Sequence, residues 1–97
     1  MKTTQLRSYM IKAGELDAFA QLWSKTVRPL RKKMGFVIEG AWKIPSEDRF
    51  VWVVSYDGSD GWDAANERYY GSPERKAMDP DPASFIAGQS TSFIDPI

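Results

Sequence analysis

Two charged residues lie in the middle of segments whose alternating pattern predicts β-strands. Arg7 falls within residues 4–12, and Glu39 falls within residues 36–43. In a catalytic site, Arg7 would anchor a carboxylate or enolate. Glu39, with a pKa raised by apolar surroundings, would accept a proton near pH 7. The simpler interpretation, which the residue types alone favour, is a structural ion pair at a subunit interface or two solvated charges near a sheet edge.

The second group of candidates is aromatic, because 13% of the chain is Phe, Trp or Tyr and four residues are Trp. Large rings at this spacing usually form nothing more than a core, and that is the default interpretation. Imperfect filling between helices and a sheet would instead leave a cavity for a flat, ring-bearing ligand, with a Tyr hydroxyl to orient it. Trp62 belongs to this aromatic set, and the rings that we assign to ligand binding are Tyr9, Trp23, Trp42, Trp52, Tyr56 and Tyr69.

The composition excludes several classes of function. The 97 residues carry 13 Lys or Arg and 13 Asp or Glu, with no Cys and no His. A net charge of zero argues against a nucleic-acid or polybasic membrane partner. Without His and Cys there is no Ser-His-Asp triad, no thiolate or imidazole metal site and no histidine base. We therefore expect no metal and no cofactor. The remaining chemistry is carboxylate-based catalysis, small-molecule binding or assembly.

Two further charged segments have ordinary explanations. The basic run of Arg28, Arg31, Lys32 and Lys33 could bind an anion, but a solvated helix end that interacts favourably with the helix dipole is the preferred interpretation. Residues 57–63 contain several Asp and Gly residues, yet their spacing fails the twelve-residue calcium-loop pattern. We expect a turn there.

A long apolar stripe predicts a helix over roughly residues 15–34, after the first strand. Pro29 lies inside this pattern and removes one backbone hydrogen bond, so we expect a kink or a split into two helical pieces. Gly35 is the expected helix end. The stripe consists of Leu16, Phe19, Ala20, Trp23, Val27, Leu30 and Met34.

Three more strands and further helical segments follow along the chain. A second helix is expected to begin near Ser59, as its N-cap, and to end at Gly71. Ser72 and the proline after it favour the start of another short helix. The remaining strands are predicted over residues 36–43, 49–57 and 89–94. The order βαββ(α)β predicts an α+β fold, a ferredoxin-like four-stranded antiparallel sheet with helices on one face.

Alternation also assigns side chains to the two faces of the sheet. Arg7 shares a face with Tyr9, and Glu39 shares a face with Val37 and Ala41. The strand over residues 49–57 is apolar on both sides. An antiparallel sheet of this size normally leaves one face in water, so two apolar faces imply a second layer supplied by another chain. The two sets are Phe50, Trp52, Val54 and Tyr56 on one face and Val51, Val53 and Ser55 on the other.

The order of these pieces resembles the NIPSNAP family over nearly the whole chain. The resemblance implies a dimeric α/β barrel, a homodimer whose sheets pack face to face, with a pocket between sheet and helices in each subunit. Members often carry a His just before the glycine that ends the first helix, whereas this chain has Met34. The matching pieces are Leu6 to Tyr9, Gly14, Phe19, Trp23, Pro29, Leu30, Gly35, Gly40 to Trp42, Phe50 to Tyr56 and Tyr70 to Arg75.

Three hypotheses follow for a single domain spanning residues 1–97, for which the lack of a signal peptide makes the cytoplasm the expected location. The first is a NIPSNAP-like homodimer, with further assembly left open, that binds a small aromatic or acyl ligand. The second is a cofactor-independent monooxygenase or lyase, as in related barrel groups, acting on an activated aromatic or polyketide-like substrate. The third is a structural oligomer without catalysis.

Overall fold

The computed structural model describes all 97 residues and contains one four-stranded antiparallel sheet with strand order β2-β3-β1-β4. This is the ferredoxin-like α+β arrangement that the sequence predicts. Short 3₁₀ turns occupy Pro45–Glu47 and Pro82–Phe85. The strands and helices are β1 (Thr3–Ile11), α1 (Leu16–Lys25), α2 (Val27–Lys33), β2 (Val37–Ile44), β3 (Arg49–Tyr56), α3 (Gly61–Gly71), α4 (Pro73–Lys76) and β4 (Ile86–Phe93).

All the long helices pack on the same face of the sheet, and the core lies between the two layers. Phe19 of α1 packs edge-on against Phe50 with ring centroids 5.1 Å apart, and Trp23 packs against Trp52 at 5.2 Å. On β1 this face carries the buried side chains Gln5, Arg7, Tyr9 and Ile11. Arg7 therefore lies in the helix-covered layer rather than at a solvated edge.

The long helix divides into two pieces at Thr26, as the position of Pro29 predicts. Thr26 departs from helical geometry, with φ of −120° and ψ of −62°, and its hydroxyl donates to the Leu22 carbonyl at 2.7 Å. The break lies three residues before the proline because the ring excludes the N–H that would bond to the Lys25 carbonyl. Gly35 then ends α2 with φ of +94°, a conformation that glycine adopts without strain.

A β-bulge in β2 changes the predicted faces. The pairing with β3 shifts between Ile38 and Gly40, so the extra residue, Glu39, interrupts the alternation. The prediction that Glu39 and Ala41 share a face is wrong, because Ala41 pairs with Trp52 on the helix side while Glu39 contacts Ser55 on the opposite side. The sequence pattern assumed a strand period of two, which one inserted residue breaks.

The other face of the sheet carries no helices, and we call it the open face. Its large exposed apolar side chains are Met10 on β1 and Val37 and Trp42 on β2, which are 50%, 54% and 55% exposed. Polar residues lie among them, since Ser8, Arg49 and Glu39 occupy the same face of β1, β3 and β2. On β4 the residues of this face are Gly88, Ser90 and Ser92. The central residues of the open face are Leu6, Val51 and Val53, which are partly buried.

The start of α3 differs from the prediction. The helix begins at Gly61 rather than after Ser59, because a turn closed by the Gly61 N–H and the Gly58 carbonyl at 3.2 Å occupies the preceding residues. Ser72 does cap α4, accepting a hydrogen bond from the Arg75 amide at 3.2 Å. None of the helices combines the length and the apolar character that crossing a bilayer requires.

Candidate functional site

A cavity of about 190 Å³ lies between the helices and the covered face of the sheet. Rings from three elements form much of its wall, namely Tyr9 of β1, Trp23 of α1 and Trp52 of β3. Exposed Ala83, in the turn before β4, lies at its edge. The polar lining is dominated by Arg7, Arg31 and Arg75 together with Tyr69 and Tyr70, and it contains no Asp, Glu or His.

Arg7 reaches the cavity from the middle of β1 and is 7% exposed. Its guanidinium donates three hydrogen bonds, all to neutral oxygens. The acceptors are the Tyr9 hydroxyl at 2.9 Å, the Gln5 side-chain carbonyl at 2.8 Å and the Tyr70 hydroxyl at 2.9 Å. Burial lowers the pKa of Arg7, but Tyr9 and Tyr70 more than offset this, so the pKa lies above its ordinary value.

Arg31 lies opposite Arg7, on the last turn of α2, and is completely buried. It donates to Asn66 at 3.0 Å and, at 3.5 Å, to the same Tyr70 hydroxyl that serves Arg7. Its guanidinium carbon lies 3.8 Å from the centre of the Tyr69 ring. Burial and the charge of Arg7 lower the pKa of Arg31, although a guanidinium stays protonated at neutral pH.

The two guanidiniums have no carboxylate partner. None of the salt bridges in the chain involves Arg7 or Arg31, whereas Arg75 pairs with Asp81 at 3.1 Å. Burying an ion costs several kcal/mol. A hydrogen bond from a charged donor returns about 1.5–3 kcal/mol, and each aromatic face about 0.5–2 kcal/mol. Arg31 has one good hydrogen bond and one at the distance limit, so the free-energy cost of burying its charge and the gain from its contacts nearly cancel.

Several donors in the wall find no acceptor within the protein. They are the Arg31 Nε, the indole Nε1 of Trp23 and of Trp52, and the Tyr69 hydroxyl, all buried. All four residues line the cavity. Buried polar groups are nearly always paired with protein or with ordered water, so these four groups are available to water or to an acceptor on a bound molecule.

Four of the six rings assigned to ligand binding line this cavity, namely Tyr9, Trp23, Trp52 and Tyr69. The structure places Trp42 elsewhere, on the open face, where its ring lies over Gly40. Tyr56 is also away from the cavity, because it packs against Phe36 and donates its hydroxyl hydrogen to Asp60.

Glu39 does not join Arg7 in one site. The two residues lie on opposite faces of the sheet, because Glu39 shares the open face with Val37 and Ser55, whereas Arg7 lies on the covered face. There it forms a salt bridge with Lys2 at 2.9 Å and accepts from the Ser55 hydroxyl at 2.7 Å. Hydrogen bonds from Lys2 and Ser55 hold the pKa of Glu39 below its ordinary value, which is the opposite of what a base near pH 7 requires.

Arg31, Tyr70 and Arg75 line the cavity but were not among the sequence-predicted site residues. The interpretation of Arg31 as a solvated helix end is wrong, since it is fully buried. A signal was present in the sequence, because Arg31 lies four residues after Val27 and three before Met34, on the apolar stripe itself. A single charged residue on the otherwise apolar stripe of a helix is expected to face the core with its apolar neighbours.

The chain is similar to known proteins in its fold, and no match assigns it a function. No protein-family model matches the chain, and no curated protein matches it significantly. Among solved structures, an uncharacterized NIPSNAP domain protein from Burkholderia xenovorans has a TM-score of 0.84 and 22% identity, over 100% of this chain and 95% of that chain. A NIPSNAP family protein from Agrobacterium tumefaciens has a TM-score of 0.85 and 13% identity, over 99% of this chain and 86% of that one.

The chain therefore has the fold of NIPSNAP domain proteins, as the sequence resemblance predicts. A lower similarity extends to a second group with related architecture. A "Putative antibiotic biosynthesis monooxygenase" from Nitrosomonas europaea has a TM-score of 0.72 and 10% identity, over 99% of this chain and 90% of that one.

Proposed function

We propose that this chain is a NIPSNAP-like homodimeric protein that binds a small aromatic or acyl ligand in the cavity between sheet and helices. The observation that carries the proposal is the 190 Å³ cavity itself, walled by rings and by donors without acceptors. A cavity of about 150 Å³ already accommodates benzene. A ligand of one ring, or a short acyl chain, therefore matches the space.

The homodimer is supported by the open face. A monomer would leave the large apolar side chains of Met10, Val37 and Trp42 half exposed on the open face, and several such side chains on one surface are typical of an interaction site. A second copy is the occupant that we propose, because the NIPSNAP resemblance implies face-to-face pairing of two sheets. The cavity lies on the helix-covered face of the sheet, so dimerisation through the open face leaves each ligand site intact.

A cofactor-independent monooxygenase or lyase is the second candidate, favoured by the structural likeness to the Nitrosomonas europaea protein. Arg7 would stabilise an enolate in such a reaction. The cavity lining offers no carboxylate and no imidazole to remove the proton. Burial raises the pKa of Tyr69, so its hydroxyl stays protonated near neutral pH and does not supply a base. We therefore place binding ahead of catalysis.

The test is a thermal-shift screen of aromatic and acyl compounds. Ligand at tenfold its Kd stabilises the folded state by about 1.4 kcal/mol, which corresponds to a rise of roughly 6–11 °C in Tm for a domain of this size. Ala83→Trp, which fills the cavity edge, should abolish the shift. Ala64→Trp, an equal change at an exposed site on α3 outside the cavity, should retain it.

A flat response to the whole panel would contradict both the binding and the catalytic proposals and would favour a structural oligomer. A shift that survives Ala83→Trp would show that the ligand site lies elsewhere on the chain.

A further inference from the structure

The polar lining of the cavity consists mainly of positively charged hydrogen-bond donors and contains no carboxylate. Arg7 and Arg31 face it without a carboxylate, and they share one neutral acceptor, the Tyr70 hydroxyl, at 2.9 and 3.5 Å. Of the five N–H groups on each guanidinium, Arg7 has acceptors for three and Arg31 for two. Asp81, which precedes the cavity-lining Pro82, is paired with Arg75 at 3.1 Å.

The unpaired donors have a consistent chemistry. The Arg31 Nε and the two indole N–H groups can only donate, and each is buried in the cavity wall. A neutral ligand carbonyl would satisfy one or two of them and leave the two positive charges unbalanced. A carboxylate brings two oxygens with about four acceptor sites and one negative charge, which suits planar guanidinium forks.

We propose that the cavity binds a single-ring carboxylate, with its anionic group held between Arg7 and Arg31 and its ring among Tyr9, Trp23 and Trp52. This inference rests on the proposed function, since it names the class of ligand for the same cavity. A single ring with its carboxylate matches the 190 Å³ of the cavity. Arg31 is thus a binding residue and not an ordinary helix-end charge.

Isothermal titration calorimetry at pH 7 tests the inference with matched acid and amide probes. The pairs are benzoate with benzamide, phenylacetate with phenylacetamide, and salicylate with salicylamide. Each amide has nearly the shape of its acid but no charge. We expect at least one acid to bind the native protein at least tenfold more tightly than its amide.

Two variants assign the preference to the arginines. Arg31→Met should reduce the acid-to-amide ratio to about one, with a Tm equal to or above that of the native protein, because a buried unpaired charge is removed. Arg7→Met is expected to have the same effect on the acid-to-amide ratio. It provides an independent test if the Arg31→Met variant does not fold. Lys32→Met removes one charge from an exposed site on the same helix and should leave the ratio unchanged.

The possible contrary results are distinct. Amides that bind as tightly as their acids would overturn the anion inference and leave aromatic ligand binding standing. A tenfold preference that persists in both arginine variants would also overturn it, because the charge would then be recognised elsewhere. No binding by any probe, together with a flat thermal-shift screen, would remove the proposed function as well.

Discussion

The arginine at position 31 shows how one residue can be misjudged from sequence. It belongs to a run of four basic residues at a helix C-terminus, a pattern typical of solvated charge, yet it is the one member of the run that is fully buried. Charge-dipole arguments apply to all four equally and cannot separate them. The position of Arg31 on the apolar stripe does separate it. The contacts with Asn66, Tyr69 and Tyr70 that make its burial tolerable come from tertiary packing, which no local pattern contains.

Tyr69 gives a residue-scale prediction about pH. Burial raises the pKa of its hydroxyl above the ordinary value of 10.0, with Arg31 and Arg75 acting in the opposite direction. In the unfolded chain this tyrosine ionises first, so between the two pKa values the folded state holds more protons. The free energy of unfolding should therefore fall as pH rises above about 10. It should be unaffected by Tyr69 below that pH.

The measurement is urea unfolding between pH 8 and 11 for the native protein and Tyr69→Phe. The variant should show a shallower loss of stability with rising pH, and the comparison cancels the titration of every other group. Identical slopes would mean that the Tyr69 hydroxyl is accessible to water in the folded state.

At the scale of elements, regular features were predictable and irregular ones were not. The strands, the split helix and its end at Gly35 follow from periodicity and from the stereochemistry of proline and glycine. The bulge at Glu39 does not, because a strand pattern of period two wrongly places Glu39 and Ala41 on one face. The proposed Arg7–Glu39 pair fails for a different reason: Glu39 lies on the open face with Val37, whereas Arg7 lies under the helices, and alternation alone could not relate the faces of the two strands.

The helix end at Gly35 gives an element-scale prediction. Gly35→Ala should destabilise the chain by about 1–2 kcal/mol because φ is +94° there, whereas the added methyl group would meet the Tyr56 ring only at an ordinary contact distance of 3.4 Å. Gly71→Ala is the matched control, since it lies at the end of α3 with no atom within 4 Å of the added carbon. It should stabilise by up to about 1 kcal/mol. Chemical denaturation measures both, and equal effects at the two sites would refute the conformational argument.

The whole molecule has two layers with different tasks. The helices and the covered face enclose the cavity, while the open face presents Met10, Val37 and Trp42 to the outside. The sequence indicates this division through strand β3, which is apolar on both sides. It could not indicate which side the helices cover, because both sides satisfy the same pattern. The packing of Phe19 and Trp23 against Phe50 and Trp52 decides the question.

Val53, in the central strand on the open face, gives a prediction at this scale. Val53→Asp places a charge where we propose that two sheets meet, and an unpaired buried charge is strongly unfavourable. The variant should lose the dimer, giving either a monomer or an aggregate in light scattering after gel filtration. Val53→Thr, which keeps the shape and adds no charge, should remain dimeric. A native protein that runs as a monomer in dilute buffer, or a folded Val53→Asp dimer, would exclude this interface.

The hydrogen-bond donors left unpaired around the cavity have a practical consequence for protein engineering. Substitutions that remove such groups relieve a local deficit, so a library of variants selected only for heat resistance, without any ligand present, would accumulate changes at these positions. The places where thermostable variants cluster would then coincide with the lining of the cavity that we propose as the ligand site. Under that proposal, ligand binding and tolerance of heat make opposite demands on the same few side chains.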